Sequence, residues 1–121
     1  MPDATPDEIE SFLEKIRSTL PISFIPRNNE KNRETLTALG YNWKIAAKEI
    51  EILSIENYSE GPTQEYGTIN KVWIFGKFIQ GHEIYIKIKL IGMNNRNEEI
   101  DTVYCHSFHF AKDCLNYPYK K

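Results

Sequence analysis

The chain has 121 residues, 40% of them hydrophobic and 26% charged, which is typical of one folded domain over residues 1–121 and excludes a disordered chain. No apolar run approaches the ~18 residues of a membrane span, and 2 cysteines are too few for a scaffold of several disulfides. The formal net charge of −2 indicates no general affinity for nucleic acid, although residues 61–121 alone carry more basic than acidic side chains. The acidic N-terminus lacks the pattern of a secretory signal, so we expect a cytoplasmic protein with reduced thiols and no membrane partner.

Helices are predicted in the first half of the chain. Apolar residues recur at three- and four-residue spacing over Asp7–Leu20, which indicates an amphipathic helix. A second helix is predicted from Asn28 or Asn29 to Leu39, with Gly40 as its stop. A third is predicted over Trp43–Leu53. Its inner face is expected to contain Ile45, Ile50 and Leu53, or a near variant of this set.

Two stretches of the first half are not helical in pattern. The apolar segment Ile22–Ile25 lies between prolines and is a candidate edge strand. Residues 54–68 include Gly61, Pro62 and Gly67, so an irregular connection is predicted there.

The second half changes to a period of two residues. Predicted strands at Val72–Ile79 and Glu83–Leu90 flank Gln80–Gly81, a compact hairpin turn. In the second of these strands isoleucines point one way, and three polar side chains point the other: Tyr85, Lys87 and Lys89. After a polar loop at residues 94–99, a third strand is predicted from Asp101 to about Phe110. The pattern favours an α+β fold, with two to three N-terminal helices on one face of a small antiparallel sheet.

Metal and thiol chemistry are poorly supported by the sequence. His106 and His109 are predicted to point to opposite faces of one strand, and with His82 they form no ligand set with carboxylates. No glycine-rich phosphate loop is present. Cys105 lies within an apolar strand, where packing is the usual role. We therefore predict no metal and no cofactor.

The residues do suit RNA cleavage without metal. Such a reaction needs a base for the 2′-hydroxyl proton, an acid for the 5′-oxygen and a cation for the charged transition state. Tyr85 and Lys87 share one strand face, and His109 lies on a strand expected to pair with theirs. Each also has a structural explanation, namely cross-strand packing, solvation or a hydrogen-bonded imidazole.

A series of short stretches carries a family resemblance: Phe24–Arg27 with Lys31–Asn32, Leu36–Gly40, Asn57–Pro62, Val72–Lys77, Ile84–Lys87, Ser107–His109 and Tyr117–Pro118. In this order, over about residues 20–119, they resemble the motility quorum-sensing regulator (MqsR) toxins of bacterial type II toxin–antitoxin systems. The resemblance implies a RelE-like fold and a metal-independent mRNA endonuclease (mRNA interferase) that inhibits translation. Its partners would be mRNA and a cognate antitoxin protein, which we expect to be of the helix-turn-helix type.

The resemblance also assigns residues. The strand tyrosine of the family falls on Tyr85, two residues before Lys87, and the basic residue of the last strand falls on His109. The founding member has a lysine at that last position, which acts chiefly as a charge, whereas a histidine exchanges protons near neutral pH. Two polar residues of the founding member have no counterpart, because Ser59 and Ile74 take their places.

Four further residues are candidate RNA contacts: Arg27, Lys77, Lys89 and Trp73. Arg27 offers planar, bidentate phosphate recognition. Lys77 follows Gly76, where a ligand can approach the backbone, but in a two-residue hairpin it would pair with Ile84 and face away from Tyr85. Trp73 can stack a base, although aromatic strand residues more often belong to the core.

Two other functions stay open at this point. The same fold can serve as a non-catalytic module that binds a protein partner through its sheet edge, and the absent polar residues favour this alternative. A small-ligand pocket between helices and sheet is the other.

Overall fold

The computed structural model describes residues 3–20, 23–64, 71–93 and 100–121. The helical elements are α1 Pro6–Thr19, α2 Glu30–Leu39, α3 Trp43–Glu51 and a 3₁₀ turn at Ile55–Asn57. The strands are β1 Phe24–Pro26, β2 Tyr58–Gln64, β3 Lys71–Ile79, β4 His82–Met93 and β5 Ile100–Phe110. The α+β class and the three predicted helices are therefore confirmed.

Each α-helix begins at a polar cap. The side chains of Thr5, Asn29 and Asn42 accept a hydrogen bond from the backbone N–H three residues further on, which satisfies one of the free donors of the first turn. α2 ends at Gly40, as predicted. None of the helices in the described ranges is long and apolar enough to cross a membrane.

The five strands form one sheet in the order β1-β5-β4-β3-β2. β2 to β5 pair antiparallel, and the predicted hairpin turn joins β3 to β4 at Gln80 and Gly81, which both have positive φ. β1 runs parallel to β5, so the sheet is mixed and not antiparallel as predicted. No hairpin links these two strands, and the intervening chain provides the long connection that parallel pairing requires.

β2 is a strand where an irregular connection was predicted. Its pairing with β3 shifts register twice between Tyr58 and Thr63, and this accommodates Gly61 and Pro62, the residues that favoured a loop. Residues 65–68 of the predicted connection, the loop at 94–99, and Pro21 and Ile22 lie outside the described residues.

One face of the sheet, the helix-covered face, carries Ile84, Ile86 and Ile88, all fully buried under the helices. Phe12 of α1 stacks on Trp73 with ring centroids 4.3 Å apart. Ile45 is 38% exposed and not part of the inner face as predicted, because the neighbouring Ala46 takes the buried position. The opposite face, called the tyrosine face below, is defined by Tyr85, Lys87, Ser107 and His109, which pair across β4 and β5.

Candidate functional site

Tyr85 and His109 form the centre of the tyrosine face. They are direct partners across β4 and β5, and their rings stack with centroids 5.3 Å apart and an interplanar angle of 15°. Both side chains are half-buried. The structure thus brings together a phenol and an imidazole that are 24 residues apart in the sequence.

The hydrogen bonding of His109 fixes which nitrogen can exchange a proton. Its Nδ1 lies 3.0 Å from the carbonyl oxygen of Phe110. A carbonyl only accepts, so Nδ1 carries the hydrogen, and in the neutral ring Nε2 has a lone pair that can take a proton. The ring lines a cavity of about 400 Å³ together with Lys31 and Glu34 of α2 and Lys112 of the C-terminal segment, residues 111–121. Its lining thus contains two lysines and one carboxylate, a charge balance that favours an anion over a cation.

Tyr85 is held in its neutral form. Burial, and then the nearby carboxylate of Glu60, raise the pKa of the phenol. At neutral pH the hydroxyl therefore acts as a hydrogen-bond donor and not as a phenolate base.

Lys87 lies two residues from Tyr85 on the same strand face. It pairs with Ser107 on one side and with Ile74 on the other. It makes no ion pair with any carboxylate in the part of the chain that the structure describes. Its positive charge is thus not neutralised by a described residue, and an ammonium in this position can bind a phosphate oxygen.

A bulge in β5 adds His106 to this face. Lys87 pairs with Ser107 and Ile88 with Cys105, so His106 is an extra residue on β5. Its Nδ1 lies 3.3 Å from Ser107 Oγ, and its ring contacts that of Tyr104. The prediction that His106 and His109 point to opposite faces is therefore wrong, because a bulge interrupts the alternation on which it depended.

Arg27 reaches the same group of residues from the end of β1. Its side chain is exposed, and Nη1 lies 3.1 Å from His106 Nε2. Its backbone N–H donates to Cys105 O, and its carbonyl accepts from the buried amide of Asn32. Asn32 Oδ1 also accepts from the N–H of Phe108. Asn32 thus ties α2, β1 and β5 together and positions Arg27.

Two predicted RNA contacts lie on the helix-covered face. Lys77 pairs with Ile84, and its Nζ lies 2.7 Å from Glu49 Oε1, with both side chains less than a fifth exposed. Trp73 is 9% exposed and stacked on Phe12. The hairpin register directs both side chains toward the helices, so neither shares a face with Tyr85, and both predictions need correction.

Lys89 is on the predicted face but is not an open contact. It is 7% exposed, and its Nζ lies 5.2 Å from the ring centroid of Tyr104. The long apolar stem of a lysine can be buried while its ammonium packs on an aromatic face. Lys89 therefore positions Tyr104 and does not extend into solvent as predicted.

The C-terminal segment forms a wall beside Tyr85. It crosses the tyrosine face at Gly76, the partner of Tyr85 on β3, where an added Cβ would collide with Leu115 and Tyr117. The hydroxyl of Tyr117 donates to Glu83 Oε2 at 2.6 Å. Burial, followed by this hydrogen bond, raises the pKa of Tyr117.

Sequence reasoning did not identify Asn32, Tyr104 or Tyr117 as parts of this region. Strict alternation from His109 places residues 107, 105 and 103 on the tyrosine face, so only knowledge of the bulge reveals Tyr104. Asn32 is an ordinary residue of a first helical turn. Tyr117 lies in a tail without periodicity. Only the resemblance, through the stretches Lys31–Asn32 and Tyr117–Pro118, pointed to Asn32 and Tyr117, and it gave neither residue a role.

Comparisons with protein-family models, with curated proteins and with solved structures find no match to this chain. Among the residues that the structure describes, no three His, Cys, Asp or Glu side chains form a metal-binding group. The geometry of the tyrosine face and the sequence resemblance are therefore the two observations that bear on function.

Proposed function

We propose that this chain is a metal-independent endoribonuclease that cleaves mRNA in the cytoplasm, the toxin of a type II toxin–antitoxin system of the MqsR-like, RelE-like kind. The observation that carries the proposal is the stack of Tyr85 on His109 beside Lys87. A proton acceptor, a hydroxyl donor and a cation on one face are the groups that this reaction needs. The ordered resemblance of the sequence to that toxin family supports the same function.

The reaction assigns one role to each group. His109 Nε2 takes the 2′-hydroxyl proton as the 2′-oxygen attacks the adjacent phosphorus. The bond from phosphorus to the 5′-oxygen breaks, which leaves a 2′,3′-cyclic phosphate, and Tyr85 donates a proton to the departing oxygen. The proton held by His109 then restores the phenol. Lys87 stabilises the charge that develops on the phosphate oxygens.

The decisive test is cleavage of a defined RNA by the purified chain in the presence of EDTA. We expect His109→Ala to reduce the cleavage rate by about 10²–10⁴-fold, the usual contribution of a general acid or base. His82→Ala is the matched control, because His82 is exposed, pairs with Ile79, and contacts the ring of Phe110 on the face of the sheet opposite to His109. Equal cleavage by wild type and His109→Ala would overturn the proposed site.

A second pair of variants tests the phenol. Tyr85→Phe removes the hydroxyl and keeps the ring stack, and we expect the cleavage rate to fall at least about tenfold. Tyr41→Phe, on the helix-covered side of the molecule, should cleave at the wild-type rate. Growth arrest on expression should follow the cleavage rates of these variants.

The alternative of a non-catalytic interaction module has its own outcome in these tests. A wild-type chain that cleaves no RNA and causes no growth arrest, but is captured by a protein partner, would favour that alternative.

Under the proposed function, a neighbouring reading frame should encode an antitoxin of the helix-turn-helix type. That protein should bind the chain in a pull-down and block cleavage, since Lys87 and Arg27, which form no ion pair with a described carboxylate, suit an acidic partner surface.

A further inference from the structure

We infer that the tyrosine face holds a second RNA subsite, in which the ring of Tyr104 stacks a base and the Arg27–His106 pair binds the adjoining phosphate. This inference rests on the proposed function and names where the substrate strand continues beyond the reaction centre. It replaces Trp73, which is buried under the helices, as the stacking residue.

The ring of Tyr104 lies on the tyrosine face, and its neighbours hold it in place. It pairs with Lys89, which shares its strand face with Tyr85 and Lys87, and it is half-buried. The Lys89 ammonium lies 5.2 Å from the ring centroid. The edge of the ring meets His106, with centroids 6.1 Å apart at 81°. An aromatic ring fixed in this way can stack a base with little loss of its own freedom.

The Arg27 guanidinium is hydrogen-bonded to His106, whose ring contacts that of Tyr104. Arg27 Nη1 donates to His106 Nε2 at 3.1 Å, and His106 Nδ1 then donates to Ser107 Oγ at 3.3 Å. The exposed guanidinium has five N–H donors and uses only this one contact among the described side chains. Its planar shape suits bidentate binding of a phosphate.

The surroundings of Tyr85 determine the direction in which a bound RNA strand continues from the reaction centre. Leu115 and Tyr117 block the side of Gly76, where the carboxylate of Glu83 is also located. The cations lie in the other direction, toward Lys87 and Arg27. Tyr104 pairs with Lys89, which lies four positions after Tyr85 on β4. This corresponds to about 13 Å at ~3.3 Å per residue. A substrate that occupies both subsites must therefore contain more than a dinucleotide.

The test uses fluorescently labelled, fully 2′-O-methylated RNA, which binds but lacks the attacking hydroxyl. We expect Tyr104→Leu and Arg27→Ala each to weaken the binding of a hexanucleotide about tenfold. Tyr104→Phe should bind the hexanucleotide as wild type does. Lys44→Ala, an exposed lysine on α3, is the control for loss of one positive charge.

Salt dependence separates the two roles. Arg27→Ala should lower the slope of log Kd against log salt concentration by about one phosphate contact, whereas Tyr104→Leu should leave the slope unchanged. Equal hexanucleotide affinity of wild type and both variants, with RNA cleavage by the wild type intact, would overturn the subsite and leave the proposed function standing. A wild-type chain that neither binds nor cleaves RNA would overturn both.

Discussion

Two clusters on opposite faces of the same sheet each contain a tyrosine and a lysine, and they differ by one carboxylate. On the helix-covered side, Tyr41 donates to Glu49 Oε2 at 2.6 Å and Lys77 to Glu49 Oε1 at 2.7 Å. On the tyrosine face, Tyr85 and Lys87 make no hydrogen bond to a carboxylate among the described residues. Identical residue types thus form a neutralised structural cluster in one place and a cationic, ligand-ready cluster in the other.

The carboxylate of Glu49 explains why Lys77 is unsuitable for phosphate. Burial raises the pKa of Glu49, but the hydrogen bonds from Lys77 and Tyr41 and the charge of Lys77 outweigh this and lower it. Glu49 is therefore ionised at neutral pH and forms an ion pair with the ammonium of Lys77. Glu60 affects the tyrosine face differently, because its charge raises the pKa of Tyr85 but it makes no ion pair there.

The largest expected effect is a difference in stability between two single substitutions, Lys77→Met and Lys87→Met. Lys77→Met leaves a mostly buried carboxylate without its cation, so we expect the free energy of unfolding to fall by about 2–3 kcal/mol. Lys87→Met should change it by less than about 0.5 kcal/mol. Urea denaturation of both variants measures this difference.

RNA cleavage should fall more in Lys87→Met than in Lys77→Met, since Lys87 faces the proposed substrate and Lys77 does not. Cleavage is compared under conditions in which both variants remain folded. Similar stability losses for Lys77→Met and Lys87→Met, or similar losses of cleavage, would contradict the distinction between the two clusters.

Gly76→Ala is the next largest change and tests the wall of the tyrosine face. The added Cβ meets the side chains of Leu115 and Tyr117, so these side chains must move and the bond from Tyr117 to Glu83 is disturbed. We expect a stability loss of about 1–2 kcal/mol. Faster proteolysis of the segment after Phe110 should accompany it.

The control for this prediction is the same change in a Tyr117→Leu background, where the phenol that meets the new Cβ is absent. There Gly76→Ala should cost at least about 0.5 kcal/mol less than in the wild type. Strictly additive effects of the two substitutions would show that the segment does not pack on Gly76.

The strand β4 shows how much of this comparison was predictable. Because its alternation is regular, the sequence alone correctly places Ile84, Ile86 and Ile88 under the helices and Tyr85 and Lys87 on the other face. The hairpin turn sets the register of β3, so the pairing of Lys77 with Ile84 was also predictable. Local periodicity and turn chemistry suffice for such features.

β5 and the C-terminal segment show where prediction ended. The bulge at His106 depends on how two strands pair, and the alternation of one strand contains no signal for it. Lys89 pairs with Tyr104 and its ammonium packs on that ring, which is a consequence of the same strand pairing. β2 was hidden by Gly61 and Pro62, whose preference for turns is overridden by pairing with β3.

The smallest effect is expected at alkaline pH and tests the Tyr41–Glu49 bond directly. This bond, followed by burial and the charge of Glu49, raises the pKa of Tyr41 from 10.0 to about 12. Since the pKa in the folded state is the higher one, the stabilisation is fully present below about pH 10 and is lost as the pH rises toward 12. Tyr41→Phe has no such group, so its deficit relative to wild type should shrink over this interval. The other tyrosines titrate in both proteins. The measurement is therefore the difference in unfolding free energy between wild type and Tyr41→Phe, from urea denaturation at pH 8 to about 11.5. A deficit that stays constant with pH would show that Tyr41 is not bonded to Glu49, and the helix-covered cluster would then lose one of its three members.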